Sequence, residues 1–204
     1  STRKESSAAS DVYKRQREYL AYLTELRQTV RVAARQQRRA ANWHLPAPSA
    51  LPYIAEERTR VWERGVNDPD FLSVRVGTSD QPLCISLEAP ELPPLAQLDP
   101  VAASAAHRFM LTHEIQKNLS LGITLRDYAR VEITGDETES RGLARAMLLH
   151  LATMHDPDTV QIVIAADAAV LPQWEWAKWM PHTHSRTVRA VSYTHLRAHE
   201  TRED

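Results

Sequence analysis

The sequence predicts an α/β fold, and this prediction rests on three consecutive patterns. Residues 129–134 (ARVEIT) are typical of a short buried strand, and residues 160–166 (VQIVIAA) form a second, almost continuously apolar run. Between them, apolar residues recur at the helical period over residues 141–155. A strand, a helix and a second strand in this order predict a parallel βαβ unit.

The turn before the central helix is where such folds bind phosphates, because the first backbone N–H groups of the helix point at the ligand. Residues 135–142 (GDETESRG) lie at the position of the phosphate-loop pattern GxxxxGK[ST]. Gly135 matches the first glycine, whereas Ser140 replaces the second glycine and Arg141 replaces the lysine. Gly142 lacks the hydroxyl group that would bind Mg²⁺.

Three carboxylates in the same turn, those of Asp136, Glu137 and Glu139, would repel a polyphosphate. The pattern therefore predicts a phosphate-loop position without a working phosphate loop. An ordinary turn whose acidic residues stabilise a helix N-terminus is the alternative.

The preceding part of the chain predicts a long helix and a small β-hairpin. Over residues 17–43, apolar residues at spacings of three and four form one narrow stripe, and arginines dominate the other faces. A solvated stalk or coiled-coil helix and a juxtamembrane helix near anionic headgroups both fit this pattern. Residues 72–76 and 83–87 alternate apolar and polar around a turn, which predicts a hairpin. Asp99 and Pro100 predict the start of another helix.

Composition and motifs give few indications of function. With 25 basic and 26 acidic residues the chain is nearly neutral, so its charge does not indicate a nucleic-acid or membrane-surface protein. Cys84 is the only cysteine, so an intrachain disulfide is impossible. The motifs G-x-S-x-G, H-E-x-x-H and G-x-G-x-x-G do not occur, and no metal site is expected. Asp167 follows a predicted buried strand, where α/β folds often place functional acids.

Both ends of the chain resemble translated sequencing adapters. The DNA string GATGTGTATAAGAGACAG encodes residues 11–16, and its reverse complement in a shifted frame encodes residues 191–195. We therefore expect residues 1–16 and 191–204 to be foreign to the fold. The intervening residues 17–190 are expected to be an internal fragment of a longer protein.

Residues 17–182 resemble the cytosolic N-terminal part of EccC, the FtsK/SpoIIIE-type ATPase of actinobacterial type VII (ESX) secretion systems. The most specific parts are the tryptophan-rich ending and the D-P-D-F-L stretch. The resemblance is carried by short motifs along the chain: Gln36-Gln37-Arg38, Trp62-Glu63-Arg64, Asp68-Pro69-Asp70-Phe71-Leu72, Leu98-Asp99-Pro100, His155-Asp156-Pro157, Trp174-Glu175-Trp176, Lys178-Trp179 and Pro181-His182.

The resemblance implies a domain architecture that cannot be predicted from residue periodicity alone. In this family two transmembrane helices precede a stalk, a degenerate ATPase-like domain and three ATPase modules. Residues 17–48 would be the basic stalk helix and linker, and residues 49–190 a truncated, degenerate, FtsK/RecA-like P-loop domain. Gly135, Ser140 and Arg141 fall at its phosphate loop, and Asp167 at the aspartate of an I-D-P-K stretch. These four residues are the candidate cofactor-binding positions.

The resemblance also implies partners and location. No cofactor is expected in this fragment, whereas the longer protein would bind ATP and Mg²⁺. The expected partners are other membrane subunits of the secretion complex, further copies in the assembly, and secreted proteins recognised by the ATPase modules. The expected location is the cytoplasmic face of the cell membrane.

Three hypotheses of function follow. The first is a non-hydrolysing coupling and regulatory domain between the membrane anchor and the ATPase modules. The second is weak retained ATP binding with Arg141 in place of the lysine. The third is nucleic-acid binding through the basic helix and the tryptophans, by analogy with DNA-pumping relatives; no nucleic-acid partner is expected.

Overall fold

The computed structural model describes residues 2–87 and 100–184, which fall into two compact units. The first unit comprises Ser1–Ala50 and Ser73–Val131, and the second comprises Leu51–Leu72 and Glu132–Asp204. Helices and strands occur together, which confirms the mixed α/β class. The predicted foreign tail, residues 191–204, lies outside the described residues.

The first unit is built on a long helix, α1 (Thr2–His44). The predicted apolar stripe packs inward, because Val30 and Ala33 form a buried cluster with Leu83 and Phe109. Helix α1 begins before residue 17, and residues 10–15 of this extension are exposed to solvent. None of the helices in the described part of the chain combines the length and the apolarity needed to cross a bilayer.

A two-stranded antiparallel sheet lies in the same unit, between β1 (Ser73–Pro82) and β2 (Ile115–Thr124). Helix α3 (Pro100–His113) precedes β2 and confirms the helix that was predicted after Asp99. The sheet contacts α1 through polar side chains. Arg38 donates hydrogen bonds to two β2 carbonyls, at 2.8 and 3.1 Å. The Gln37 side chain donates to the Pro82 carbonyl at 2.8 Å and accepts from the backbone N–H of Cys84.

The predicted hairpin between residues 72–76 and 83–87 is wrong. Strand β1 runs through the predicted turn, which is absorbed as two register shifts, between Arg75 and Gly77 and between Ser79 and Gln81. Its partner is β2, a segment distant in the sequence, rather than residues 83–87, which form no strand. Alternation predicts that a strand exists but does not identify its partner, because pairing depends on tertiary contacts.

The second unit contains a short helix, α2 (Leu51–Glu57), and the predicted central helix, α4 (Glu137–Met154). Helix α4 buries Met147, Leu151 and Met154. A 3₁₀ helix, Leu171–Trp179, contributes Ala177 to a cluster with Ile162 and Met180.

The two strands of the predicted βαβ unit are not formed. Residues 129–134 and 160–166 flank α4 but belong to no ladder, and the sheet of the described residues is the antiparallel β1–β2 pair. Residues 160–164 instead alternate between buried and exposed positions: Val160 and Ile162 are buried and Val163 is 91 % exposed. An apolar run favours an extended backbone, but a strand requires a hydrogen-bonding neighbour.

Candidate functional site

The predicted phosphate-loop position forms the N-terminus of α4. Gly135 has a φ of +134°, a conformation that residues with a side chain rarely adopt, so a glycine is required there. The next residue, Asp136, is the N-cap of the helix. Its Oδ1 accepts hydrogen bonds from the backbone N–H groups of Thr138 and Glu139, at 2.9 and 3.0 Å. The amides that a phosphate would use are thus bound by the chain's own carboxylate.

The remaining candidate residues do not converge on a ligand site. Arg141 is paired with Glu137 one turn earlier on α4. The backbone N–H of Ser140 donates to the carbonyl of Asp136 within the capping turn. Asp167 caps the turn that follows it, because its carbonyl accepts from the N–H groups of Val170 and Leu171, both at 2.9 Å. Its carboxylate forms no hydrogen bond or ion pair with another residue in the described ranges 2–87 and 100–184.

The structure brings together a different set of residues in the second unit, which we call the histidine cluster: Trp62, Arg64, Asp70, Phe71, Leu72, His155 and His182. The Arg64 side chain is 1 % exposed, and its Nε lies 3.1 Å from Oδ2 of Asp70. Burial lowers the pKa of the Arg64 guanidinium, and the neighbouring Asp70 carboxylate partly opposes this effect. A buried arginine of this kind requires its carboxylate partner.

His155 is the centre of the histidine cluster and is fully buried. Its Nε2 accepts a hydrogen bond from the backbone N–H of Leu72 at 2.9 Å, so Nδ1 carries the hydrogen and donates to the Leu151 carbonyl at 3.0 Å. The Phe71 ring packs edge-on against the imidazole, 5.3 Å between centroids. Burial lowers the pKa of His155, and Arg64 lowers it further. The buried His155 side chain is therefore the neutral imidazole.

His182, near the C-terminal end of the described residues, contacts His155 in the histidine cluster. Its Nε2 donates to the His155 carbonyl at 2.7 Å, and its own carbonyl accepts from the Ile162 N–H at 2.9 Å. The Trp62 ring lies edge-on to the imidazole, 6.4 Å between centroids, and its indole N–H donates to the Ala152 carbonyl at 3.1 Å. These histidines hold backbone segments together, and no metal-binding group of three or more ligands occurs in the described part of the chain.

Two members of the histidine cluster have a backbone conformation that is rare for large residues. Trp62 has a φ of +59° and Leu72 a φ of +60°. Each donates its backbone N–H to α4 or to its C-cap, Trp62 to the Thr153 carbonyl and Leu72 to the His155 imidazole. These hydrogen bonds help to hold the left-handed conformation, which is otherwise unfavourable.

Sequence reasoning missed the histidine cluster. Four of the motifs that carry the family resemblance meet there, although about 120 residues separate the first from the last: W-E-R at 62–64, D-P-D-F-L at 68–72, H-D-P at 155–157 and P-H at 181–182. The signal was that each motif contains a large or ionisable residue next to a turn-forming residue. Only the fold shows that they share one core.

The chain matches no protein-family model. Three similar proteins nevertheless all carry EccC names. The chain is 40 % identical over 184 residues to an ESX secretion system protein EccC of Thermomonospora curvata, which covers 90 % of the chain and 14 % of that protein. It is 36 % identical over 165 residues to the ESX-4 secretion system protein EccC4 of Mycobacterium tuberculosis, covering 81 % of the chain and 13 % of that protein. Against the ESX-1 secretion system protein EccCa1 of the same species, identity is 32 % over 180 residues, covering 84 % of the chain and 24 % of that protein.

These matches place the chain among components of bacterial secretion systems. The chain belongs to the EccC family of ESX, or type VII, secretion systems, which confirms the resemblance drawn from the motifs. It spans between 13 and 24 % of the length of these three relatives.

Proposed function

We propose that this chain is a coupling and regulatory segment of a type VII secretion motor that neither binds nor hydrolyses nucleotide. One observation carries the proposal: the Asp136 carboxylate binds the α4 amides that a phosphate would need. Arg141, which would replace the phosphate-loop lysine, is paired with Glu137. A nucleotide would have to displace both contacts against the repulsion of the neighbouring carboxylates.

The wider role follows from the family. ATP and Mg²⁺ would bind to modules outside this segment, in the longer protein. Membrane subunits of the complex and further copies of the same protein would be its partners, at the cytoplasmic face of the membrane. A segment of this kind transmits movement, so its core has to be rigid. The histidine cluster supports this role because it joins four separate stretches of chain through buried hydrogen bonds and one ion pair.

Calorimetry with ATP and Mg²⁺ tests the absence of a nucleotide site. We expect no binding heat at millimolar nucleotide with the wild-type chain. Asp136→Asn is an informative variant, because asparagine caps helices as well as aspartate does but removes the charge. Clear wild-type binding that Arg141→Ala abolishes would contradict the proposal and support the alternative of weak ATP binding through Arg141.

A chimera tests the coupling role itself. In it, this chain replaces the matching segment of the Thermomonospora curvata protein. We expect Arg141→Ala to leave both secretion and ATP hydrolysis unchanged. We expect His155→Leu, which removes two buried hydrogen bonds, to stop secretion while the purified chimera still hydrolyses ATP. Equal loss of hydrolysis and secretion in His155→Leu would refute a coupling role.

A further inference from the structure

A groove in the first unit lies between α1 and α3 and is separate from the histidine cluster. Its volume is about 570 Å³, within the range of ligand-binding clefts. Arg27 of α1 lies on one side, Arg108 of α3 on the other, and Phe109 forms its floor. A smaller groove of about 320 Å³, lined by Arg31 and Arg35, shares His113 with it. We call the two together the arginine groove.

The arginine groove has a cationic rim. The side chains of Arg27, Arg31 and Arg108 are exposed, and no carboxylate lies within ion-pair distance of any of the three among residues 2–87 and 100–184. Burial lowers the pKa of His113, and the positive charges of Arg27 and Arg31 lower it further. The rim of the groove is therefore positively charged.

The floor of the arginine groove is apolar. Phe109 is 4 % exposed, and the His113 ring packs edge-on against it with centroids 4.5 Å apart. The Arg27 guanidinium lies 5.9 Å from the centroid of the Phe109 ring. The aromatic ring is therefore covered, and a ligand in the groove meets the arginine side chains, which protein interfaces use most often for charged contacts.

We propose that the arginine groove binds an acidic segment of a partner protein, with its carboxylates on Arg27 and Arg108. Guanidinium groups bind carboxylates in a two-pronged geometry, and these two arginines approach from different helices. A peptide fits into a groove between two helices, whereas a bilayer or a nucleic-acid duplex presents a broad surface that meets only the rim. The proposal rests on the first unit alone and does not depend on the coupling role.

Fluorescence anisotropy with the labelled peptide ELLEELLEELLE tests this binding, and QLLQQLLQQLLQ serves as the uncharged control peptide. We expect the wild-type chain to bind the acidic peptide and not the control. Arg27→Gln and Arg108→Gln should each weaken binding by about tenfold, the effect of losing one charged hydrogen bond. Arg39→Gln, an exposed arginine on α1 outside the groove lining, should leave binding unchanged. Circular dichroism and thermal melting establish that each variant is folded.

Several results would overturn the proposal. Equal binding of the acidic peptide to wild type, Arg27→Gln and Arg108→Gln would place the peptide elsewhere. Binding of phosphatidylglycerol vesicles without peptide binding, lost in the same two variants, would assign the groove to a lipid surface. If the peptide binds the double variant Glu88→Gln/Glu91→Gln but not the wild-type chain, the chain's own acidic residues are the occupant of the groove.

Discussion

The buried His155 makes a sharp prediction about the effect of pH on the second unit. Its Nε2 accepts from the Leu72 N–H and its Nδ1 donates to the Leu151 carbonyl. Protonation would put a hydrogen on Nε2, which would then face the Leu72 N–H donor inside a site without solvent access. Burial accordingly lowers the pKa of His155 in the folded chain. The unfolded chain therefore binds a proton at a higher pH than the folded chain.

The sign and the size of the effect follow from proton linkage. A histidine of the unfolded chain titrates near pH 6.5, so His155 contributes its full stabilisation above that pH. As the pH falls below 6.5, the unfolded state gains the proton first, and the free energy of unfolding decreases. The slope reaches at most about 1.4 kcal/mol per pH unit for one proton. Between pH 6.5 and 5.0 the loss is therefore at most roughly 2 kcal/mol from this residue.

Urea denaturation followed by tryptophan fluorescence measures this effect. Trp43 lies outside the second unit and the other four tryptophans lie within it, so a Trp43→Phe background limits the signal to that unit. The free energy of unfolding should depend less steeply on pH between 6.5 and 5.0 in His155→Gln, by the equivalent of about one bound proton. His107→Gln changes an exposed histidine on α3 and should leave the slope unchanged. An unaltered slope in His155→Gln would refute the assignment of the proton to this imidazole.

Three further substitutions have expected effects on the free energy of unfolding, each measurable by urea denaturation. Gly122→Ala should cost about 1–3 kcal/mol, because the new Cβ would lie 2.8 Å from a strand carbonyl oxygen. Gly77→Ala serves as its control, because a Cβ at that position has open space around it. Asp136→Ala should cost about 1 kcal/mol through the lost α4 cap, and Asp136→Asn should be nearly neutral; equal losses would contradict the cap. Asp70→Ala should cost roughly 3 kcal/mol, the lower end for a broken buried pair, because Arg64 is buried but the carboxylate is 27 % exposed. A cost below about 1 kcal/mol would mean that the pair is screened like a surface one.

Local sequence predicted the three longest helices of the described residues, α1, α3 and α4. The apolar stripe of α1 and the periodic residues of α4 fixed both helices, because each buries one face against a core. The capping role of Asp136 also agrees with the alternative that acidic residues stabilise this helix N-terminus. The helix after Asp99 was predicted because proline at the first turn is a local signal.

Strand pairing could not be predicted from the sequence. Alternation in residues 72–76 indicated a strand correctly, but its partner proved to be β2, and the expected turn became two bulges within β1. The apolar run at 160–166 gave no strand: the Ile162 N–H donates to the His182 carbonyl, but no ladder of such bonds forms with a neighbouring segment in the described part of the structure. Pairing depends on contacts between distant segments, which residue periodicity does not encode.

The sequence by itself determined the family, the mixed α/β class, the long basic helix and the departures of residues 135–142 from the phosphate-loop pattern, since each depends on residue identities at fixed local spacing. Only the tertiary structure decided that Arg64, His155 and His182 share one buried cluster, and that arginines from α1 and α3 face one groove. The physical reason is distance along the chain: burial and hydrogen bonding join residues that no local pattern relates.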